Sequence, residues 1–148
     1  MNAKLQLRRA TLAPITFDET TSTVRVTFTT GAPVPRIDMD GPFLERLLVD
    51  RNAIDLSSFV GAHALDAHQA RGVRDILGVV VAAGVENGAG WADIKFSSRP
   101  EVQPIVRDIR DGIIRQVSVG YRVLEWRDSV DPSTKQRVRT AVRWTPYE

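Results

Sequence analysis

The 148-residue chain contains no cysteine. This rules out structural disulfides, thiolate zinc sites and a cysteine nucleophile together, and it suits a reducing cytoplasm. Any covalent catalysis is left to Ser, Thr, Lys or a carboxylate. No apolar run approaches the about 20 residues that a membrane-spanning helix needs. The stretch from Met1 to Ala10 carries Lys4, Arg8 and Arg9 but lacks the apolar core of a signal peptide. Basic tracts are missing too. Lys and Arg number 20 against 18 Asp and Glu, a net charge of +2, and no Lys/Arg-rich run is interleaved with aromatics. These absences predict a soluble intracellular protein with neither a membrane nor a nucleic acid as partner.

What remains is an ordinary globular composition, 43% hydrophobic and 26% charged, at a length that suits one domain with a single modest core. Leu5, Leu7 and Ala10 to Leu12 begin a first strand. Val24, Val26 and Phe28 alternate with Arg25 and Thr27 in a second, the period-two pattern of a half-buried strand. Gly31 to Pro35 reads as a loop. Asp40-Gly41-Pro42 then predicts a short helix, with Asp40 as cap and Phe43, Leu44, Leu47 and Leu48 as its apolar face.

Further along, Val60 to Leu65 reads as extended. Val73 to Val85 is a long β-rich run in which Gly78 suggests a bend or bulge. Glu86-Asn87-Gly88 is a turn signal before a returning strand with Trp91, Ile94 and Phe96. Ser98 and Glu101 form a capping-box pattern ahead of Val102, Ile105, Val106 and Ile109, which repeat at helical spacing until Gly112. Ile113 to Glu125 is a strand with Val117, Val119, Tyr121 and Val123 on one face and Gln116, Ser118, Gly120 and Arg122 on the other. A polar turn from Asp128 to Gln136 closes a hairpin onto Val138 to Trp144. The expected fold class is β-rich α+β, a closed or barrel-like and mostly antiparallel sheet with two to three flanking helices.

Chemistry is concentrated in few residues. His63 and His68 are the only histidines; their spacing fits some metal pairs, but no third ligand follows at a fixed interval. Asp128 to Lys135 lacks the central Gly and terminal Glu of a calcium loop and reads as a hairpin turn. No metal and no cofactor is expected. Ser118 becomes a nucleophile only if a base takes its proton, and histidine is the side chain suited to that near neutral pH. A third group, usually a carboxylate, must hold the imidazole, and composition does not choose it among 18 acids.

Four stretches, taken in order, resemble the prohead protease family of tailed bacteriophages, itself similar in fold to the herpesvirus assemblins. They are Ala64-Leu65-Asp66-Ala67-His68 followed by Asp75 to Val80; Ile94 to Pro100; Ile109 to Tyr121 with its Arg110-Asp111-Gly112 and Ser118-Val119-Gly120-Tyr121; and Trp144-Thr145-Pro146-Tyr147-Glu148. The resemblance implies a herpesvirus-protease-like fold and a serine endopeptidase with Ser118 as nucleophile and His68 as base. For the third member it favours Glu148, with His63 and Asp66 as alternatives. It implies, further, that the family's closing block would continue past Glu148, so that residues 1–148 form one protease domain cut short at that end. Oxyanion donors are open, with backbone amides from Arg139 to Arg143 or around Gly120 as candidates. Gly120 is expected to leave room over the sheet for a substrate backbone. The implied substrates are the phage major capsid protein, through its scaffold or delta domain, and the protease itself, cleaved inside the procapsid in the host cytoplasm. A homodimer is implied by the assemblin likeness. The competing reading is a catalytically silent scaffolding domain that keeps the fold.

Overall fold

A computed structural model describes residues 6–12 and 16–148. Its nine strands are β1 (Gln6–Leu12), β2 (Thr23–Thr29), β3 (Val34–Asp38), β4 (Gly41–Leu47), β5 (His63–Leu65), β6 (Ile76–Glu86), β7 (Ala89–Phe96), β8 (Gln116–Val130) and β9 (Arg137–Pro146), with one α-helix, α1 (Gln103–Arg110). They form a single sheet in the order β3-β4-β9-β8-β1-β2-β7-β6-β5. All neighbours are antiparallel except β4 and β9, which run parallel with Leu44 opposite Val138. The sheet curls into a half-barrel and stays open, with β3 and β5 as its edges. Of the expected closed or barrel-like, mostly antiparallel sheet the structure keeps the curled, barrel-like form without closure, and the helical segments among the described residues are one α-helix plus short 3₁₀ turns such as Asp66–His68 and Val73–Asp75. Among the described residues no helix is long and apolar enough to cross a membrane.

One core fills the curl. Val24, Val26 and Phe28 of β2 are at most 3% exposed, and Ile94, Phe96, Val119 and Tyr121 join them from β7 and β8. α1 adds Val106 and Ile109, with Val102 just ahead of it. Trp144 is fully buried at the centre, edge-on to Phe28 at 6.3 Å and to Tyr121 at 5.8 Å, and its indole N–H donates to the Leu48 carbonyl at 2.9 Å.

The predicted helix after Asp40 is a strand. In β4 the buried positions are Phe43, Glu45 and Leu47, a period of two, while Leu44 and Arg46 turn away from the core. The alternation was masked because one inward position is an acid. Glu45 is 1% exposed and Arg8, on the inner face of β1, is 8% exposed. Their ion pair measures 2.9 Å, and Arg8 also donates to the carbonyls of Glu45 and Ala32, both at 2.9 Å. Tyr121 donates its hydroxyl to the same carboxylate oxygen, and Arg36 of β3 reaches it at 3.4 Å. Burial first, and then the neighbouring Glu45 carboxylate, push the Tyr121 hydroxyl above the usual tyrosine range. Pro35, expected in a loop, sits in β3, where an edge position tolerates its missing N–H.

Elsewhere smaller corrections apply. The capping box does not form: Val102 occupies the N-cap without a side-chain bond, and Pro104 lies in the first helical turn. Gly112, at φ 73°, ends the helix as expected. β6 is irregular at two places: beside Gly78, where Leu77 is skipped in the pairing with β5, as expected, and between Val80 and Ala82 against β7. Gly78 also permits close backbone contact, since a Cβ there would stand 2.3 Å from the Lys95 carbonyl oxygen. Asn87 and Gly88, both at positive φ, make the tight β6–β7 turn. β8 runs on to Val130, and the following turn is closed by Asp131, whose carboxylate accepts from the Ser133 hydroxyl at 2.6 Å and the Thr134 amide at 3.0 Å. Those bonds, the Ser133 hydroxyl foremost, hold the Asp131 carboxyl down at about 2. Leu5 and the residues before it lie outside the described residues.

Replacing Glu45 by Ala strands the Arg8 guanidinium inside the half-barrel. The substitution is expected to lower stability by about 3–5 kcal/mol in urea denaturation, and the paired R8M/E45L change to recover most of that loss.

Candidate functional site

β8 positions Ser118 through the alternation that buries its neighbours. Val119 and Tyr121 point into the core at 2% and 0% exposure, so Ser118 and Gly120 share the outer face. Ser118 is exposed, and the register sets it directly opposite Arg9 of β1. Gly120 lies opposite Leu7 on the same face.

The space over Gly120 is filled. The chain leaving β9 crosses it, with the Tyr147 amide donating to the Gly120 carbonyl and the Gly120 amide to the Glu148 carbonyl, each at 3.0 Å. A Cβ on residue 120 would stand 2.6 Å from Glu148 Cγ, 2.8 Å from its Oε1 and 2.9 Å from Tyr147 Cζ. Glycine at this position therefore admits the Glu148 side chain, which corrects the expectation that its gap receives substrate. Nor is the Gly120 amide free as an oxyanion donor, since it is spent on the Glu148 carbonyl. The Arg139 to Arg143 amides lie in the ladder opposite the distal half of β8, from Glu125 to Asp128, so they too are remote from Ser118.

His68 arrives from the opposite side of the chain's order. β5 pairs with β6 and releases the 3₁₀ turn Asp66–His68, in which Ala67 (φ 50°, ψ 36°) and His68 (φ 56°) both adopt left-handed backbone. For residues with a Cβ this costs on the order of 1–3 kcal/mol each. The rest of the loop is tied down. Asp75 Oδ2 accepts from the Arg71 amide at 2.9 Å, and Arg99, ahead of α1, donates to the Val73 carbonyl at 3.0 Å and to that of Ile76.

The two ends meet at one contact. His68 Nδ1 lies 3.0 Å from Glu148 Oε1, between side chains 27% and 11% exposed. With the carboxylate accepting from Nδ1–H, the tautomer is fixed and Nε2 is left as the basic nitrogen. Glu148 Oε1 lies over Gly120, two residues or about 7 Å from Ser118 along the strand, so the imidazole it meets and the Ser118 hydroxyl belong to the same side of β8. The Ser118 hydroxyl itself has no hydrogen-bond partner among the described residues, so the serine–histidine contact is open. Such contacts are often long before a substrate binds.

Of the three candidates for the third position, only Glu148 touches His68. Asp66 is exposed, with its backbone carbonyl, not its carboxylate, engaged by the Gln69 amide at 2.9 Å. His63 is exposed on β5 opposite Val79, away from the contact. Sequence reasoning passed over Arg9 and Tyr147. Arg9 becomes a neighbour of Ser118 only through the β1–β8 register, which no local pattern announces. Tyr147 packs its ring over Gly120, and its hydroxyl is buried with no partner. Burial first, and then the negative Glu148, push that hydroxyl up to about 12.

Two outcomes follow from this packing. Gly120→Ala forces the Glu148 side chain away, so the downfield Nδ1–H resonance of His68 is expected to disappear from the proton NMR spectrum while the fold persists. The raised Tyr147 hydroxyl contributes stability that is complete below the unfolded value near 10 and is lost as pH rises through about 12. Tyr147→Phe should remove that part of the alkaline decline, and, by deleting an unpartnered buried hydroxyl, leave stability at pH 7 unchanged or raise it by about 1 kcal/mol in thermal unfolding.

Neither a family model, nor a curated protein, nor a solved structure matches the chain, which leaves the residues themselves to carry the functional reading.

Proposed function

We propose that the chain is a serine endopeptidase in which Ser118 attacks the peptide carbonyl, His68 carries the proton and Glu148 holds the imidazole. The observation that carries this reading is the 3.0 Å contact between His68 Nδ1 and Glu148 Oε1, on the strand face that presents Ser118. In the first step the Ser118 proton passes to His68 Nε2 as the Oγ–carbon bond forms. The imidazolium then gives that proton to the leaving amine as the peptide C–N bond breaks. Water, deprotonated by the same nitrogen, releases the acyl group and restores the serine. Glu148 keeps its proton-free form throughout and stabilises the transient imidazolium, whose charge would otherwise face the sheet unpaired.

The biological setting rests on the sequence resemblance. The substrates proposed are the scaffold or delta segment of a phage major capsid protein, and the protease itself, cut inside the procapsid. Confinement there supplies a high effective concentration, so modest intrinsic activity suffices. The open serine–histidine contact favours one second reading, a silent scaffolding domain that retains the fold.

A fluorophosphonate probe separates the two. Labelling of Ser118, abolished in Ser118→Ala and His68→Ala and slowed about 10²–10⁴-fold in Glu148→Gln, is the result expected of the protease. A folded chain that stays unlabelled is the scaffold. Co-expression with the cognate capsid protein, comparing wild type with Ser118→Ala by mass measurement of the shell subunit, then tests the substrate.

A further inference from the structure

The outer face around Ser118 carries two arginines that form no ion pair among the described residues. Along β8 this face presents Gln116, Ser118, Gly120 and Arg122; from β1 it receives Leu7 and Arg9. Arg9 and Arg122 are both exposed, and neither forms an ion pair among the described residues. Other exposed arginines, Arg46, Arg74 and Arg127 among them, likewise form none, while Arg8, Arg25, Arg137 and Arg139 each face a carboxylate within 3.1 Å; what sets Arg9 and Arg122 apart is their place on the strand face that carries Ser118. Glu148, an acid lying over this face, is engaged with His68.

The geometry sets the two guanidiniums at different distances from the hydroxyl. Directly opposed residues on neighbouring antiparallel strands hold their Cβ atoms about 5 Å apart, so Arg9 flanks Ser118. Arg122, four residues along the same strand, stands about 13 Å away, beyond Gly120 and the Glu148 carboxylate. A peptide laid across this face meets one cation next to the bond under attack and a second several residues further on. Arginine's planar fork suits carboxylates at both.

We infer that this face selects acidic peptide segments, with Arg9 pairing the carboxylate of a substrate side chain beside the scissile bond and Arg122 a second one farther along. The inference rests on Ser118 being the nucleophile and names the substrate class that the same site takes. A phosphate backbone would also answer to two arginines, but only a peptide brings the carbonyl that Ser118 attacks in the reading on which this inference rests. The peptide is therefore the better fit.

The test separates this inference from the reading beneath it. Full-length Ser118→Ala protein is titrated by fluorescence anisotropy with a labelled glutamate-rich decapeptide and with its glutamine-matched counterpart. The acidic peptide is expected to bind at least about tenfold more tightly, and Arg9→Gln and Arg122→Gln each to erase about tenfold of its affinity. Arg127→Gln, an equal charge change farther along β8, should leave binding unchanged. In wild-type protein the acidic peptide should slow fluorophosphonate labelling of Ser118, and the glutamine peptide should not. Equal binding of the two peptides, or an Arg127→Gln loss as large as that of Arg9→Gln, overturns the inference while labelling of Ser118 keeps the protease. Tighter, arginine-dependent binding of polyuridylate also overturns it, in favour of nucleic acid. Absence of labelling in folded wild-type protein removes the protease and the substrate class together.

Discussion

A single buried carboxylate oxygen organises the half-barrel. Glu45 Oε1 accepts from Arg8 of β1, from Tyr121 of β8 and from Arg36 of β3. It thereby joins four strands, two of which are separated in the sheet by β9 and β8. Removing such a group from water is expensive, and apolar packing of the same volume often stabilises a fold as well or better. What an ion pair adds is definition. The oxygen accepts only when the curl brings β3, β4, β1 and β8 to one radius and one register, so alternative curvatures leave a charge unpaired.

That inner network and the outer site are two faces of the same few residues. Arg8 precedes Arg9, and Tyr121 follows Gly120, in strands where successive side chains alternate between core and solvent. A one-residue slip of β1 against β8 would expel Arg8 from Glu45 and simultaneously carry Arg9 away from Ser118. The register that satisfies the buried charge is therefore also the register that builds the outer face.

Legibility in the sequence followed locality. β2, the β6–β7 hairpin, the body of α1 and the face assignment of Ser118 depend on spacing within a dozen residues, and each was readable. β4 was not, because Glu45 interrupts the apolar alternation and its partner is 37 residues away. The capping pattern at Ser98 misled because the chain makes a turn through 99–102 before the helix begins. A barrel-like sheet was legible but its closure was not, since no local signal says whether β3 meets β5. At the site, motif order pointed to Ser118, His68 and Glu148. The contact itself joins positions 80 residues apart, and Gly120 shows why spacing could not supply it. A missing side chain reads the same whether the gap is left for a ligand or filled by the protein.

The left-handed pair Ala67–His68 gives the imidazole a conditional address. Two consecutive residues with a Cβ sit where the isolated backbone would rather not be, in a 3₁₀ turn with no buried side chain of its own. The nitrogen that meets Glu148 is thus poised between a local torsional preference pulling it off the sheet and one contact drawing it on. A glutamate laid across Gly120 acts as a clasp, and whatever lifts the segment carrying Tyr147 and Glu148 from β8 also lets the distant turn unwind toward its relaxed form.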